Sequence, residues 1–128
     1  MGFNENLAVQ TAAVDYDNLF VTGSGFPIVT DAVIIASGNK LARGTVLGIV
    51  TASGKAVAVD SSKNTGVELP YAVLANDTDA TAADVLAPIY LTGEYNGHKL
   101  IFGGSDTSDT HKTACRKIGI FIKSAVPV

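Results

Sequence analysis

His111 stands four residues before Cys115, and Glu94 stands four residues before His98. Each histidine thus has one possible ligand partner at a spacing that could close on a metal ion. Structural zinc needs four ligands, usually including a second Cys or His pair, and the chain holds one cysteine and two histidines in all. Two ligands are not a site, so both histidines read as surface residues. Asp77, Asp79 and Asp84 could gather carboxylates around a divalent cation. A calcium loop also needs a glycine and a distal glutamate at fixed positions, which neighbours such as Ala80 and Thr81 do not supply. These aspartates read as solvated side chains that cap local turns.

Gly23-Ser24-Gly25 has the pliancy of a phosphate loop, but Phe26-Pro27 follows where such a loop needs a helix start and a Lys or further Gly. It reads as a hinge. No Ser or Thr has a histidine with an orienting acid at a suggestive spacing, so nucleophilic catalysis has no support. Asn76-Asp77-Thr78 fits a glycosylation sequon that would first need a secretory route. The expectation is no catalytic residue, no cofactor, no metal and no enzyme.

The elements that would have to position any site belong to one domain of 128 residues, long enough to bury its own core. Apolar residues make up 47% of it, but with no Trp and nine aromatics the core must be built from small side chains. A net charge of -3 argues against phosphate-backbone binding, which needs clustered Lys and Arg. Cys115, being alone, forms no internal disulfide, which fits a reducing cytoplasm, and it reads as a small half-buried side chain. Apolar runs fall short of the ~18–20 residues that cross a bilayer. The start Met1-Gly2-Phe3-Asn4-Glu5-Asn6 lacks the basic and apolar regions of a secretory signal, and Asn6 disfavours myristoylation at Gly2.

Short β-branched runs cut by turn residues, with no sustained helical periodicity, give an all-β signature. Strands are expected over 28–35, 45–51, 55–60, 71–75, 87–95, 99–102 and 118–123. Ala52-Ser53-Gly54 joins the second and third of these as a hairpin, and Asn96-Gly97 reads as a type I′ turn. Residues 76–84 read as a loop with one short helical turn. A single helix is expected over 105–117, with Ser and Asp at its start, Lys and Arg near its end, and Gly119 to stop it.

Residues 1–25 behave differently. Leu7 and Val9 fall on odd positions and Val14 and Tyr16 on even ones, and such a phase change turns side chains to opposite faces. With the Gly-Ser-Gly hinge behind it, the segment reads as an N-terminal arm suited to strand addition on another protein's sheet edge.

Three blocks carry a resemblance: Leu41-Ala-Arg-Gly-Thr-Val-Leu-Gly48, Tyr71-Ala-Val-Leu-Ala-Asn-Asp-Thr-Asp-Ala80 and Ala87-Pro-Ile-Tyr-Leu-Thr-Gly-Glu-Tyr-Asn96. In that order they resemble the lambda-type head decoration proteins of tailed bacteriophages. The resemblance implies a mainly β, single-domain fold, barrel- or sandwich-like, with a short C-terminal helix and an extended N-terminal arm. It divides the chain into a capsid-binding arm, 1–26, and a β-rich decoration domain, 27–128. It implies a structural virion protein that sits as a homotrimer at three-fold and local three-fold sites outside an expanded head. There it would cement the shell against packaged DNA. Its partner would be the major capsid protein, with no direct nucleic acid and no membrane, and it would pass through the host cytoplasm during assembly. The capsid-binding residues would be the arm's apolar anchors, Leu7, Val9, Val14, Tyr16, Leu19 and Phe20. Two other readings of the chain are a tail or baseplate subunit and a monomeric carbohydrate-binding β module. The absence of Trp speaks against the second.

Overall fold

The computed structural model describes residues 17–21 and 25–123. Among the described residues, nine strands and one helix follow in order: β1 (Thr30–Ile35), β2 (Asn39–Leu41), β3 (Val46–Ile49), β4 (Ala56–Ala58), β5 (Ala72–Leu74), β6 (Thr78–Ala80), β7 (Val85–Tyr90), β8 (Gly93–Asn96), α1 (Ser108–Lys117) and β9 (Ile120–Lys123). The fold is mainly β with one short helix, and five strands close a barrel in the order β1-β4-β3-β5-β7. The expected arm, up to residue 16, lies outside the described residues.

Two cores follow from the two-residue period of the central strands. Leu47, Ala72 and Leu74 point into the barrel with Ile35, Ala56, Ala87 and Ile89. Their neighbours Val46 and Val73 point outward, where Leu19, Val59, Tyr95, Leu100, Cys115, Ile120 and Ile122 cover them. Both faces of β3 and β5 are therefore buried, and each Val, Leu or Ile so enclosed contributes about 1.5–3 kcal/mol. Close packing leaves no room at Gly48, where a Cβ would lie 2.7 Å from the Val67 Cα.

The hairpin between β3 and β4 forms as expected, antiparallel with Leu47 opposite Ala58, and Gly54 takes φ +74 in its turn. Elsewhere the structure departs from the sequence expectations. Residues 76–84 contain no helical turn: Thr78–Ala80 forms β6, which pairs antiparallel with β2. The strand expected over 87–95 is two strands, because Gly93 at φ +146 breaks the line between the barrel's β7 and the separate β8–β9 ladder. Residues 99–102 form no strand, only a bridge between Thr45 and Ile101. The turn after β8 is closed by Lys99 N–H on the Asn96 carbonyl at 2.9 Å, and Gly97 does not take the positive φ of a type I′ turn.

The helix starts at Ser108 rather than 105, since Asp106 N–H closes a turn on the Gly103 carbonyl and its carboxylate is engaged elsewhere. Thr107 is the N-cap, and its N–H donates to the Thr110 hydroxyl. Asp109 in the first turn and Arg116 and Lys117 in the last suit the helix dipole. Gly119, at φ +87, ends the helix as expected and leads into β9.

Candidate functional site

The residues with chemical potential do not converge. Asp77 accepts the Arg43 N–H at 2.8 Å, Asp79 accepts the Thr81 N–H at 3.0 Å, and Asp84 accepts the Ser37 N–H at 2.8 Å. Asp84 also pairs with Lys55 at 2.6 Å. Only Asp79 caps its own turn as expected; Asp77 and Asp84 tie distant loops together. Among the described residues, no group of three or more His, Cys, Asp or Glu could hold a metal.

His98 is exposed, as expected of a surface residue, but His111 is buried at 3% exposure. The sequence placed His111 on the surface because its partner lies on the other side, at Asp106 rather than Cys115. His111 Nε2 meets Asp106 Oδ2 at 2.6 Å, and its ring stacks on Phe102 at 5.6 Å with planes 9° apart. Asp106 also accepts the Ser61 N–H at 2.7 Å and the Ser61 hydroxyl at 2.6 Å. The Ser61 hydroxyl and the imidazole thus both bond the carboxylate and not each other, so His111 does not stand as a base to the Ser61 hydroxyl. These bonds, from Ser61 first and then His111, hold the Asp106 carboxyl below its ordinary pKa. The cluster clamps the start of α1 to the loop after β4. Cys115 is fully buried rather than half-buried, and burial pushes its thiol up to about 11.

The described part of the N-terminal segment is fastened to the second core. Leu19 is 2% exposed, and Phe20 packs between Tyr90 and Tyr95, each 4.9 Å away between ring centroids. Backbone pairing adds to this: Asn96 N–H donates to the Leu19 carbonyl at 2.8 Å and Val21 N–H to the Glu94 carbonyl at 3.0 Å. Arg43 closes the attachment. Its Nε bonds Asp17 at 2.6 Å, one terminal nitrogen bonds the Ala75 carbonyl at 2.9 Å and the Tyr90 hydroxyl at 2.7 Å, and its guanidinium lies 5.9 Å from the Phe20 ring centre. Burial opposes the charge on Asp17, but the bonds from Arg43 and the Leu19 N–H outweigh it and lower its pKa.

Of the six expected anchors, Leu7, Val9, Val14 and Tyr16 lie outside the described residues, and Leu19 and Phe20 are engaged within the molecule. Residues 17–21 thus pack against β8 and Arg43. Arg43 is the residue that sequence reasoning missed. It lay inside a quoted block, but nothing in the sequence told that its partners would be Asp17, Ala75 and Tyr90.

Residues 8–120 match the family model described as Bacteriophage lambda head decoration protein D. The comparison with curated proteins gave no match.

Proposed function

The chain belongs to the lambda head decoration protein family, and from that premise we propose that it binds the outside of an expanded phage head as a homotrimer and cements the shell. It is a head decoration protein of the virion surface, and the major capsid protein is the partner this reading names. The three-fold and local three-fold positions, the cementing against DNA pressure and the passage through the host cytoplasm are parts of the proposal.

The observation that supports the mechanism is the fastening of residues 17–21 to β8 and Arg43. It holds Asp17 at a defined point on the domain, so the segment before it starts from a fixed place. In the proposed mechanism that segment adds as a strand to the capsid protein, with Leu7, Val9, Val14 and Tyr16 as anchors. Leu19 and Phe20 hold the root. Three such weak contacts in one cyclic trimer reinforce one another through their high effective concentration.

Purified protein mixed with expanded and unexpanded heads tests the reading. The full chain should bind expanded heads with density on three-fold axes, and a variant lacking residues 2–16 should not bind. Val9→Leu should bind nearly as well as the unaltered chain, whereas Val9→Pro, which removes a backbone donor, should bind clearly less. Unchanged binding by the truncated protein would move the cementing role to the globular domain. Occupancy only of five-fold vertices, or dimers on the shell, would overturn the trimer.

A further inference from the structure

The second core covers the outside of the barrel only in part. On β1 and β7 the even-numbered residues face outward, since Ile35, Ala87 and Ile89 fill the barrel. The ladder sets Thr30 opposite Tyr90, Ala32 opposite Pro88 and Ile34 opposite Leu86. Tyr90 packs against the second core, but the next two pairs face water: Leu86 is 69% exposed and Ile34 42%, with Ala32 and Pro88 exposed beside them. An antiparallel ladder with one wet face ordinarily turns polar side chains to it. Here two cross-strand pairs in a row are apolar, and the one charge on either strand is Asp31, which belongs to the other phase.

This strip offers side chains and no backbone. β1 pairs with β4 and β7, and β7 with β1 and β5, in a closed barrel, so neither strand has an edge to extend. Neither strand carries a Lys or Arg for a phosphate backbone. The surface that fits it is an uncharged aliphatic patch on another protein, since charged residues are depleted at the centre of protein interfaces.

The N-terminal attachment stands beside the strip. Arg43 bonds Asp17 at 2.6 Å, the Tyr90 hydroxyl at 2.7 Å and the Ala75 carbonyl at 2.9 Å, and the Ala75 N–H donates to the Pro88 carbonyl at 3.0 Å. Asp17 is thus fixed near the Pro88–Tyr90 end. From Tyr90 to Leu86 is roughly 13 Å at the rise of a strand. A protein engaged by the residues before Asp17 is therefore held within reach of the strip, and two linked contacts on one partner reinforce each other.

We propose that Ile34, Leu86, Ala32 and Pro88 form a second, rigid contact on the protein that the N-terminal segment binds, seated on an uncharged aliphatic patch of that partner. The proposal rests on the head-binding reading, in which the partner is the major capsid protein, and adds to it a contact outside the segment. The segment captures the partner, and the strip fixes how the domain stands on it.

The test titrates expanded heads with the unaltered chain, I34T/L86T, L69T and the chain lacking residues 2–16. Threonine suits a strand, and both positions of the double variant are exposed. Leu69, 62% exposed in the loop before β5, is the matched control away from these strands. I34T/L86T should bind at least tenfold more weakly with an unfolding midpoint near that of the unaltered chain, and L69T should bind as the unaltered chain does. L86C gives a direct readout, because the native Cys115 is buried. A maleimide should label L86C rapidly in the free chain and at least tenfold more slowly on heads.

Unchanged binding by I34T/L86T, an equal loss with L69T, or unchanged labelling of L86C on heads would overturn the proposal. If the truncated chain then fails to bind, the arm reading stands without the strip. Binding that survives truncation but not I34T/L86T would withdraw the segment's part and keep the strip's. Ile34 and Leu86 methyl signals that shift on dilution of the free chain would assign the face to a second copy, and binding to uncharged lipid vesicles that I34T/L86T abolishes would assign it to lipid. Either result would overturn the proposal.

Discussion

His111 Nε2 lies 2.6 Å from Oδ2 of Asp106, and the two side chains are 4% and 5% exposed. A buried carboxylate of this kind needs its partners, because burial without them favours the neutral form. The Asp106 pKa is lowered from the ordinary 3.8. A group whose folded pKa is depressed contributes stability above its unfolded value and loses it as pH falls through the folded value. The clamp should therefore be fully effective above the ordinary carboxylate range and weaken progressively as pH falls below it. Asp106→Asn should lower the melting temperature at pH 7 and narrow the gap to the unaltered protein towards pH 3. A gap that stays constant over that range would show that the charge on Asp106 does not contribute.

Arg43 should hold the root of the N-terminal segment. Its bonds to Asp17, Ala75 and Tyr90 are made by a partly buried guanidinium, so Arg43→Ala should cost about 1 kcal/mol or somewhat more, once solvent screening of the half-exposed ion pair is discounted. Arg43→Lys should recover only part of this, since an ammonium cannot span the same fork. Hydrogen exchange at the Asn96 amide, which donates to the Leu19 carbonyl, reads the loosening directly. The lowered pKa of Asp17 adds that this contact, too, weakens in acid.

Truncation separates arm from root. Removal of residues 2–16 should leave the midpoint of denaturant unfolding nearly unchanged. Removal of residues 2–20 should reduce it sharply, because Leu19 and Phe20 fill the second core. Leu19→Ala alone should cost about 2–5 kcal/mol, the range for a buried leucine replaced by alanine. An unfolding midpoint indifferent to Leu19 would contradict its place in the core.

Cys115 should resist thiol reagents. With its pKa pushed up to about 11 by burial, roughly one thiol in a thousand is ionised at pH 8, and the side chain is closed to solvent. A chromogenic disulfide should label the unfolded chain within minutes and the native protein only as fast as it unfolds. Rapid labelling under native conditions would place Cys115 at the surface.

The amino-acid sequence by itself determined the local grammar of the fold. Gly54 between β-branched runs marked the β3–β4 hairpin, Gly119 marked the end of the helix, and the short apolar runs 45–51 and 71–75, bounded by turn residues, marked the central strands. The three quoted blocks carried the family. What only the tertiary structure decided were contacts between residues far apart in the chain. Asn76 to Ala80 reads as a loop until β2 is beside it, and the β6 pairing then overrides weak local propensity. His111 reads as exposed until Asp106, Ser61 and Phe102 surround it. Leu19 and Phe20 read as part of the arm, and the packing of Phe20 depends on Tyr90, Tyr95 and Arg43, more than 20 residues away. Spacing along a chain reports neighbours within a turn or a strand; it holds no record of which surfaces close over one another once the barrel forms.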